Sequence, residues 1–443
     1  MSVVDRLLHF ATVGTVIPCP EMTLLAADHD PPIVVGTGEV TVLTSRSFGY
    51  TLRGTPDDVG HALRSLRRID KNPYDGLLRE RLMVMTADGL SLSGGWTIPK
   101  VHVPDGVAEW TFTGEVESLS FHEDGAFDAG TEVAYLLPRQ HRARLILRRF
   151  MDDRGEGVFE RSVRINGADL QITLNDANDL LLMRAPASKV LPPTFTENWL
   201  GEPLRILFGQ LIYPRYVLRQ STNWAMGWVR PSPTWSRDSD ASALWQGPEE
   251  LVDRDGFWLS FRKLLSFIAA SRDARGFPNF EANRLTELYG EVIQAAHGSR
   301  WVWALTYASA AEGLINLLGL EGSPRIDMND KQREELLAAV ESFKAYVAAW
   351  SGDPRLIQPA KNAADRMLKT TAAIALRHIK KQGWITKEQL AAWEKLRNKV
   401  MHGNLVSPYS SAEDDDLLLN LSGMLHGLTR RLIDGVDPDA IVE

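Results

Sequence analysis

The stretch GFWLSFRKLLSFIAA, residues 256–270, marks the point where the pattern of the chain changes. Apolar residues recur here every three or four positions, as they do along the buried face of an α-helix. Glycine and proline signals separate the helical stretches that follow. These stretches are 257–271, 280–297, 301–320, 330–350, 360–381, 386–402 and 412–433. Residues 256–443 are therefore predicted to form an all-α helical bundle, with Thr386 and Gln389 as a capping box.

Up to about residue 190 the chain has the pattern of β-structure instead. Short runs rich in Val, Ile, Leu, Phe and Thr alternate with turn signals such as Ala87-Asp88-Gly89. The predicted strands are 31–43, 77–85, 107–121, 133–137, 144–150 and 169–174, and a short helix is predicted around 57–66. This spacing suits a sandwich or barrel-like arrangement rather than alternating βαβ units.

The fold class predicted from these two patterns is α+β, with a β-rich region followed by a helical bundle. Three parts are expected along the chain. They are a β-rich regulatory or sensing domain at 1–190, a mixed connecting segment at 191–255 and an α-helical domain at 256–443. The connecting segment is expected to contribute a helix near 196–209 and strand-like structure at 211–230.

Composition excludes several classes of protein. With 44% hydrophobic and 24% charged residues, the chain is neither disordered nor fibrous. Its one cysteine, Cys19, cannot form an internal disulfide or a multi-cysteine metal site, and this indicates a cytoplasmic location. No uncharged run approaches the roughly 18–20 apolar residues that cross a bilayer, so no membrane association is expected.

The distribution of charge is more informative than the formal net charge of −8. Taken as an average, −8 argues against a general nucleic-acid binder. The stretch 354–412, however, holds 11 basic and 3 acidic side chains. A local basic surface is therefore expected within an acidic protein.

One segment in this basic stretch carries residue types suited to RNA cleavage. Arg397, Asn398 and His402 lie near the end of the predicted helix 386–402, and Asn398 and His402 share its polar side. Arginine keeps its charge and can hold a phosphate with two parallel donors, while histidine can transfer a proton near neutral pH. Asparagine can orient either group. These functions suffice for attack of a ribose 2′-hydroxyl on the adjacent phosphodiester without a metal or cofactor.

Other common catalytic motifs are absent from the sequence. It contains no GxxxxGK[ST], HExxH or GxSxG motif, and no strand–GxGxxG–helix pattern. By composition alone, cations at the C-terminal end of a helix are also explained by the helix dipole.

The string Arg397-Asn398-x-x-x-His402 resembles the Arg-x(4–6)-His motif of HEPN domains. The resemblance covers roughly 256–443, and a β-rich region joined to such a bundle is similar to bacterial HEPN-type abortive-infection (anti-phage) proteins. It implies a bundle that forms a homodimer or higher homo-oligomer and cleaves RNA without metal at the paired motifs. It also implies an acidic residue in an earlier helix, which Glu312 matches. We expect Glu312 to position Arg397.

The expected partners follow from this hypothesis. RNA should contact basic residues of the bundle, and a phage-derived or protein trigger is expected at the N-terminal half. The candidate RNA contacts are Arg377, Lys380, Lys381, Lys395 and Lys399. Two alternatives remain open. The bundle could be a non-catalytic RNA- or protein-binding scaffold, or the β-rich part could act on carbohydrate, with Glu115 and Glu117 on one strand face.

Overall fold

The computed structural model describes most of the chain. The ranges are 7, 10, 13–26, 31–43, 47–71, 80–137, 142–152, 159–165, 167–175, 179–229, 242–246, 249–273, 275–278, 283–401 and 411–439, with the backbone alone at 68–71 and 398–401. Within these ranges, no helix combines the length and apolar character needed to span a membrane.

The strands of the described residues form one antiparallel sheet. They are β1 (Val16–Leu25), β2 (Pro32–Val42), β3 (Phe48–Gly54), β4 (Glu80–Met85), β5 (Ser91–Thr97), β6 (Lys100–His102), β7 (Trp110–Val116), β8 (Leu119–Asp124), β9 (Gly130–Leu136), β10 (Glu160–Ile165), β11 (Ala168–Asn175), β12 (Leu180–Pro186), β13 (Pro214–Gln220) and β14 (Trp224–Val229). Their order is β10-β11-β12-β9-β13-β14-β8-β5-β4-β1-β2-β3-β7-β6.

The helices lie mostly after the sheet in the chain. They are α1 (Val59–Lys71), α2 (Arg142–Met151), α3 (Pro193–Trp199), α4 (Glu202–Phe208), α5 (Arg254–Ala270), α6 (Arg284–Ala295), α7 (Arg300–Leu317), α8 (Asp330–Ala348), α9 (Ile357–Met367), α10 (Ala372–Lys381), α11 (Lys387–Met401) and α12 (Ala412–Asp434). The α+β fold class predicted from the sequence is confirmed.

The part of the sheet from β5 to β7 curls until β7 contacts β5, although four strands separate them in the strand order. Alternate residues of these strands point inward, as in β3, where every second side chain is buried. Met22, Leu52 and Phe112 are among the fully buried side chains at the centre. Together they form one of the two hydrophobic cores of the described residues.

The second core joins the other part of the sheet to the helices. Phe257 at the start of α5 lies at its centre, with ring centroids 5.1 Å from Phe150, 5.7 Å from Phe208 and 5.6 Å from Trp245. The cluster extends from Val133 on β9 to Ile433 on α12. Sheet and bundle therefore share a continuous core on this side of the molecule.

The segment 191–255 contributes more to the sheet than its predicted role as a connection suggests. Its strands β13 and β14 lie between β9 and β8 and pair with both. They join the two parts of the sheet, so the sheet extends well beyond residue 190. The predicted helix near 196–209 is found as two short helices, α3 and α4, separated at Leu200 and Gly201.

The predicted strand at 144–150 is wrong, because these residues belong to α2. The buried residues of α2 recur at helical spacing and include Ala143, Ile146, Leu147 and Phe150. Arg144 is buried as well, which the strand interpretation did not anticipate. Its guanidinium donates to the Leu137 carbonyl at 3.1 Å and pairs with Asp179, so its charge is compensated.

The predicted helix 360–381 is divided into α9 and α10. Thr371 is the N-cap of α10, and its hydroxyl accepts a hydrogen bond from the Ile374 N–H. Thr370 donates its own hydroxyl to the Pro324 carbonyl at 2.9 Å. These contacts tie the break between the helices to the turn that follows α7.

A buried carboxyl connects α4 with α6. The Glu202 carboxylate accepts the Thr286 hydroxyl at 2.5 Å and the Asn283 N–H at 3.1 Å. Burial, which disfavours the charged form, raises the pKa of Glu202 to about 7. The Glu202 carboxyl thus makes specific hydrogen bonds to α6, but ionising it in the folded protein costs free energy.

The free energy of unfolding should depend on pH because ionisation of buried Glu202 is unfavourable. Between the usual pKa of 4.5 and the folded value of about 7, only the unfolded chain releases the Glu202 proton, so the free energy of unfolding falls as pH rises through this window. We expect Glu202→Gln to reduce this fall, measured by urea denaturation at pH 5 and pH 8. Glu291→Gln, an exposed substitution on α6, is the control. An equal fall in Glu202→Gln and wild type would contradict the assignment.

Candidate nucleic-acid interface

Helix α11 carries Arg397, the first residue of the predicted motif, and packs within the bundle along one face. The predicted capping box at its start is confirmed: the Thr386 N–H donates to the Gln389 side chain at 3.0 Å, and the Gln389 N–H donates to the Thr386 hydroxyl at 3.2 Å. Leu390, Trp393 and Leu396 are buried against the neighbouring helices α7, α10 and α12. The opposite face of α11 is consequently exposed.

Arg397 is exposed at the edge of the buried face, one turn after Trp393, and its side chain packs on that residue. Its guanidinium lies 5.2 Å from the ring centroid of Trp393, one turn earlier in α11. Trp393 is itself buried, so the ring offers a fixed surface on which the cation can stack. This arrangement holds the Arg397 side chain while its donors stay accessible to a phosphate.

The rest of the predicted motif lies only partly within the described residues. Asn398 and Lys399 belong to α11, but their side chains are outside the described part of the chain. His402 lies outside the described residues altogether. The roles of these three residues therefore stay predictions from the sequence.

Glu312 and Arg397 are not joined in the way the sequence suggested. Glu312 is half-buried in α7, beside Gly313, where an added Cβ would meet the side chain of Leu288 on α6. Within the described residues, no ion pair or hydrogen bond links Glu312 to Arg397. The aromatic ring of Trp393, rather than a carboxylate of α7, contacts the Arg397 guanidinium.

The predicted RNA contacts fall into two groups. Arg377 on α10 forms an ion pair with Glu394 on α11 at 2.9 Å, and Lys395 pairs with Glu413 at the start of α12. These two cations are partly neutralised within the bundle. Lys380 and Lys381 lie at the end of α10 without a salt bridge to any described residue. The accessible positive charge is thus smaller than the sequence count implies.

A polar cluster buried in the bundle was not predicted from the sequence. His426 on α12 is 5% exposed, and its side chain bonds to the backbone of Ser242. The Ser242 hydroxyl is 3.2 Å from the Tyr307 hydroxyl, and Tyr289 bonds Thr429 at 2.9 Å. The sequence feature that could have predicted this cluster is the helical spacing of Ser422, His426 and Thr429 among apolar residues.

The chemistry of His426 is set by its burial. Desolvation lowers the pKa of His426 to about 3, so the imidazole is neutral at physiological pH. It can accept or donate hydrogen bonds within the core but does not gain a proton near neutrality. This histidine is therefore a buried polar residue of the bundle and a poor candidate for acid–base catalysis.

Comparison with known proteins gives no further assignment. No family model, curated protein or solved structure gives a significant match to the chain. Among the described residues, no group of three or more His, Cys, Asp or Glu side chains is arranged to hold a metal ion. The function is therefore argued from the residues of the chain itself.

The ion pair between Arg377 and Glu394 makes a testable prediction about RNA affinity. Replacing Glu394 with Gln should free the Arg377 guanidinium, so that single-stranded RNA binds a few-fold more tightly at low salt and with a steeper salt dependence. Fluorescence anisotropy of a labelled 20-nucleotide RNA at two salt concentrations measures both effects. Glu334→Gln, which removes the same charge from the exposed side of α8, is the matched control. Equal effects of the two variants would show that Arg377 does not contact RNA.

Proposed function

We propose that this protein is a metal-independent endoribonuclease of the HEPN type, acting in the cytoplasm in anti-phage defence. The observation that supports this most is the placement of Arg397. Its guanidinium is exposed near the end of α11 and stacked on the buried Trp393 ring, five residues before His402 in the sequence. An immobilised guanidinium on an accessible surface is suited to binding a scissile phosphodiester.

The proposed reaction is attack of a ribose 2′-hydroxyl on the adjacent phosphorus. The 2′-oxygen forms a bond to phosphorus while the bond to the 5′-oxygen breaks, giving a 2′,3′-cyclic phosphate and a 5′-hydroxyl. His402 serves as general base or general acid, and its counterpart in a second subunit takes the opposite role. Arg397 binds the phosphate and stabilises the charge that develops there. Asn398 orients His402 or the substrate.

The proposed active form is a homodimer or higher homo-oligomer through the helical region. A single copy supplies one Arg397 and one His402, whereas acid and base catalysis of one cleavage uses two proton-transfer groups. Glu312 remains a candidate for a positioning residue in this assembly. The cation that Glu312 contacts would then belong either to a second subunit or to the part of the chain outside the described residues.

A second candidate function is a non-catalytic scaffold that binds RNA or protein. Two observations favour it. Arg377 and Lys395 are already paired with acidic residues. In addition, α8 and Trp350, two residues after its end, expose an apolar face at heptad spacing, with Phe343 48%, Tyr346 72% and Trp350 44% exposed. RNA binding without any cyclic-phosphate product would support this second function.

The catalytic proposal is tested by substituting the two central residues. We expect His402→Ala to lower the rate of RNA cleavage in EDTA by about 10²–10⁴-fold, because proton transfer is lost. Arg397→Lys should also lose most activity, since lysine keeps the charge but not the bidentate geometry. Cleavage of a labelled RNA, resolved by gel, measures both rates.

The control for this experiment is His297→Ala, which removes an exposed histidine from the loop after α6. Circular dichroism and melting temperature of each variant establish that the fold is retained. If a folded His402→Ala protein cleaves RNA as fast as wild type, the proposed mechanism is wrong.

A further inference from the structure

In the curled part of the sheet, the strand pairing between β5–β6 and β7–β8 is interrupted. Gly94 on β5 pairs with Leu119 on β8, and Lys100 on β6 pairs with Thr113 on β7. Lys100 lies six residues after Gly94, and Thr113 lies six residues before Leu119. Both pairs therefore belong to one continuous antiparallel register, with no slip between them.

The two chain segments separate between these pairs. The last backbone bond before the gap is donated by the Gly95 N–H to the Ser118 carbonyl at 3.2 Å. No ladder pairing within the described residues joins 96–99 to 114–117. Pro99 contributes to the interruption because it has no N–H to donate. The separated segments enclose a cleft of about 690 Å³.

The two sides of this cleft differ in chemistry. Trp96 and Ile98, 45% and 51% exposed, lie on one side. Glu115, which accepts a hydrogen bond from the Ser47 hydroxyl, and Glu117 are exposed on the other. If the register is continued through the gap, Glu117 lies opposite Trp96 and Glu115 opposite Ile98. An aromatic ring and a carboxylate thus face each other across the cleft.

The floor of the cleft is formed by residues that leave little room for larger side chains. Gly114 lines the cleft, and a Cβ added there would come within 2.6 Å of the Tyr50 hydroxyl. That hydroxyl lies 3.2 Å from the hydroxyl of Thr97, which also lines the cleft. The buried Glu80 on β4 pairs with Thr97 on β5, and burial raises the pKa of Glu80 to about 7.

We propose that this cleft binds an extended, arginine-bearing peptide segment. A guanidinium can stack on the Trp96 ring and at the same time donate two parallel hydrogen bonds to the Glu117 carboxylate. Side chains two residues apart in an extended peptide share one face, about 6.6–6.8 Å apart, which matches the spacing of Glu115 and Glu117. The ligand therefore carries arginine at two positions separated by one residue.

The charge of the cleft determines the orientation of the ligand. Lys100 lies at the end of the cleft beside Thr113, whereas Glu117 lies towards the opposite end. The stronger arginine contact is consequently the one between Trp96 and Glu117. The two carboxylates disfavour phosphate groups, so RNA is not the ligand of this cleft. The proposal does not rest on nuclease activity.

Calorimetric titration of the full chain with the blocked peptide acetyl-Gly-Arg-Ala-Arg-Gly-amide tests this proposal. We expect saturable binding that weakens about tenfold or more in Glu117→Gln and in Trp96→Ala, because a charged bidentate bond or a cation–π contact is lost. The same peptide with citrulline in place of arginine keeps the shape but lacks the charge, and it should bind at least tenfold more weakly.

Matched controls are available elsewhere on the surface. Glu109→Gln removes another exposed carboxylate, and Trp350→Ala removes a tryptophan of nearly equal exposure from the helical region. Both should bind the peptide as wild type does. Glu117 is exposed, so its variant is expected to fold even if Trp96→Ala does not.

Three results would overturn the proposal. They are no saturable binding of the arginine peptide up to millimolar concentration, equal binding of the citrulline peptide, or unchanged affinity in a folded Glu117→Gln protein. Maltotetraose and chitotetraose serve as competing probes. Binding of either saccharide that is lost in Trp96→Ala, without binding of the arginine peptide, would assign the cleft to carbohydrate instead.

Discussion

The burial of Phe257 among aromatic rings from three other segments is the constraint on which the rest of the structure depends. Its neighbours Phe150, Phe208 and Trp245 come from α2, α4 and the segment before α5. Because these rings close the core between the bundle and the β9–β12 part of the sheet, neither of these two parts buries its apolar surface alone. Phe257→Ala would leave a cavity at this junction, where losses of roughly 3–5 kcal/mol are typical.

This shared core determines which surfaces remain for function. The helices that pack on the sheet bury their apolar faces, and α11 packs on α7, α10 and α12 with Trp393 inside. Arg397 is therefore directed to the outside and held by the ring beneath it. The cleft between 96–99 and 114–117 lies in the curled part of the sheet, which has a separate core. The two proposed sites thus lie in parts of the chain that have separate hydrophobic cores.

The sequence was sufficient for features set by local spacing and insufficient for those set by long-range pairing. Apolar periodicity and capping residues predicted most helices of the bundle, including the start of α11 at Thr386. The strand predicted at 144–150 is wrong because a short apolar run is compatible with both helical and strand periodicity. The contacts of the buried Arg144 with Leu137 and Asp179 are visible only in the tertiary structure. No local sequence pattern predicts that β13 and β14 lie between β9 and β8, or that the pairing of β5 with β8 ends before Trp96. Helical spacing places Arg397 beside the apolar face that holds Trp393, one turn earlier, whereas its separation from Glu312 required the tertiary structure.

The reaction proposed for the surface of α11 around Arg397 is attack by a ribose 2′-hydroxyl on the adjacent phosphodiester. The most direct measurement compares cleavage of one oligonucleotide sequence as RNA and as 2′-O-methyl RNA, in the presence of EDTA, with mass spectrometry of the product ends. We expect that only the RNA is cut and that its fragments end in a 2′,3′-cyclic phosphate. Cleavage of both oligonucleotides, or products that end in a 3′-hydroxyl, would contradict it.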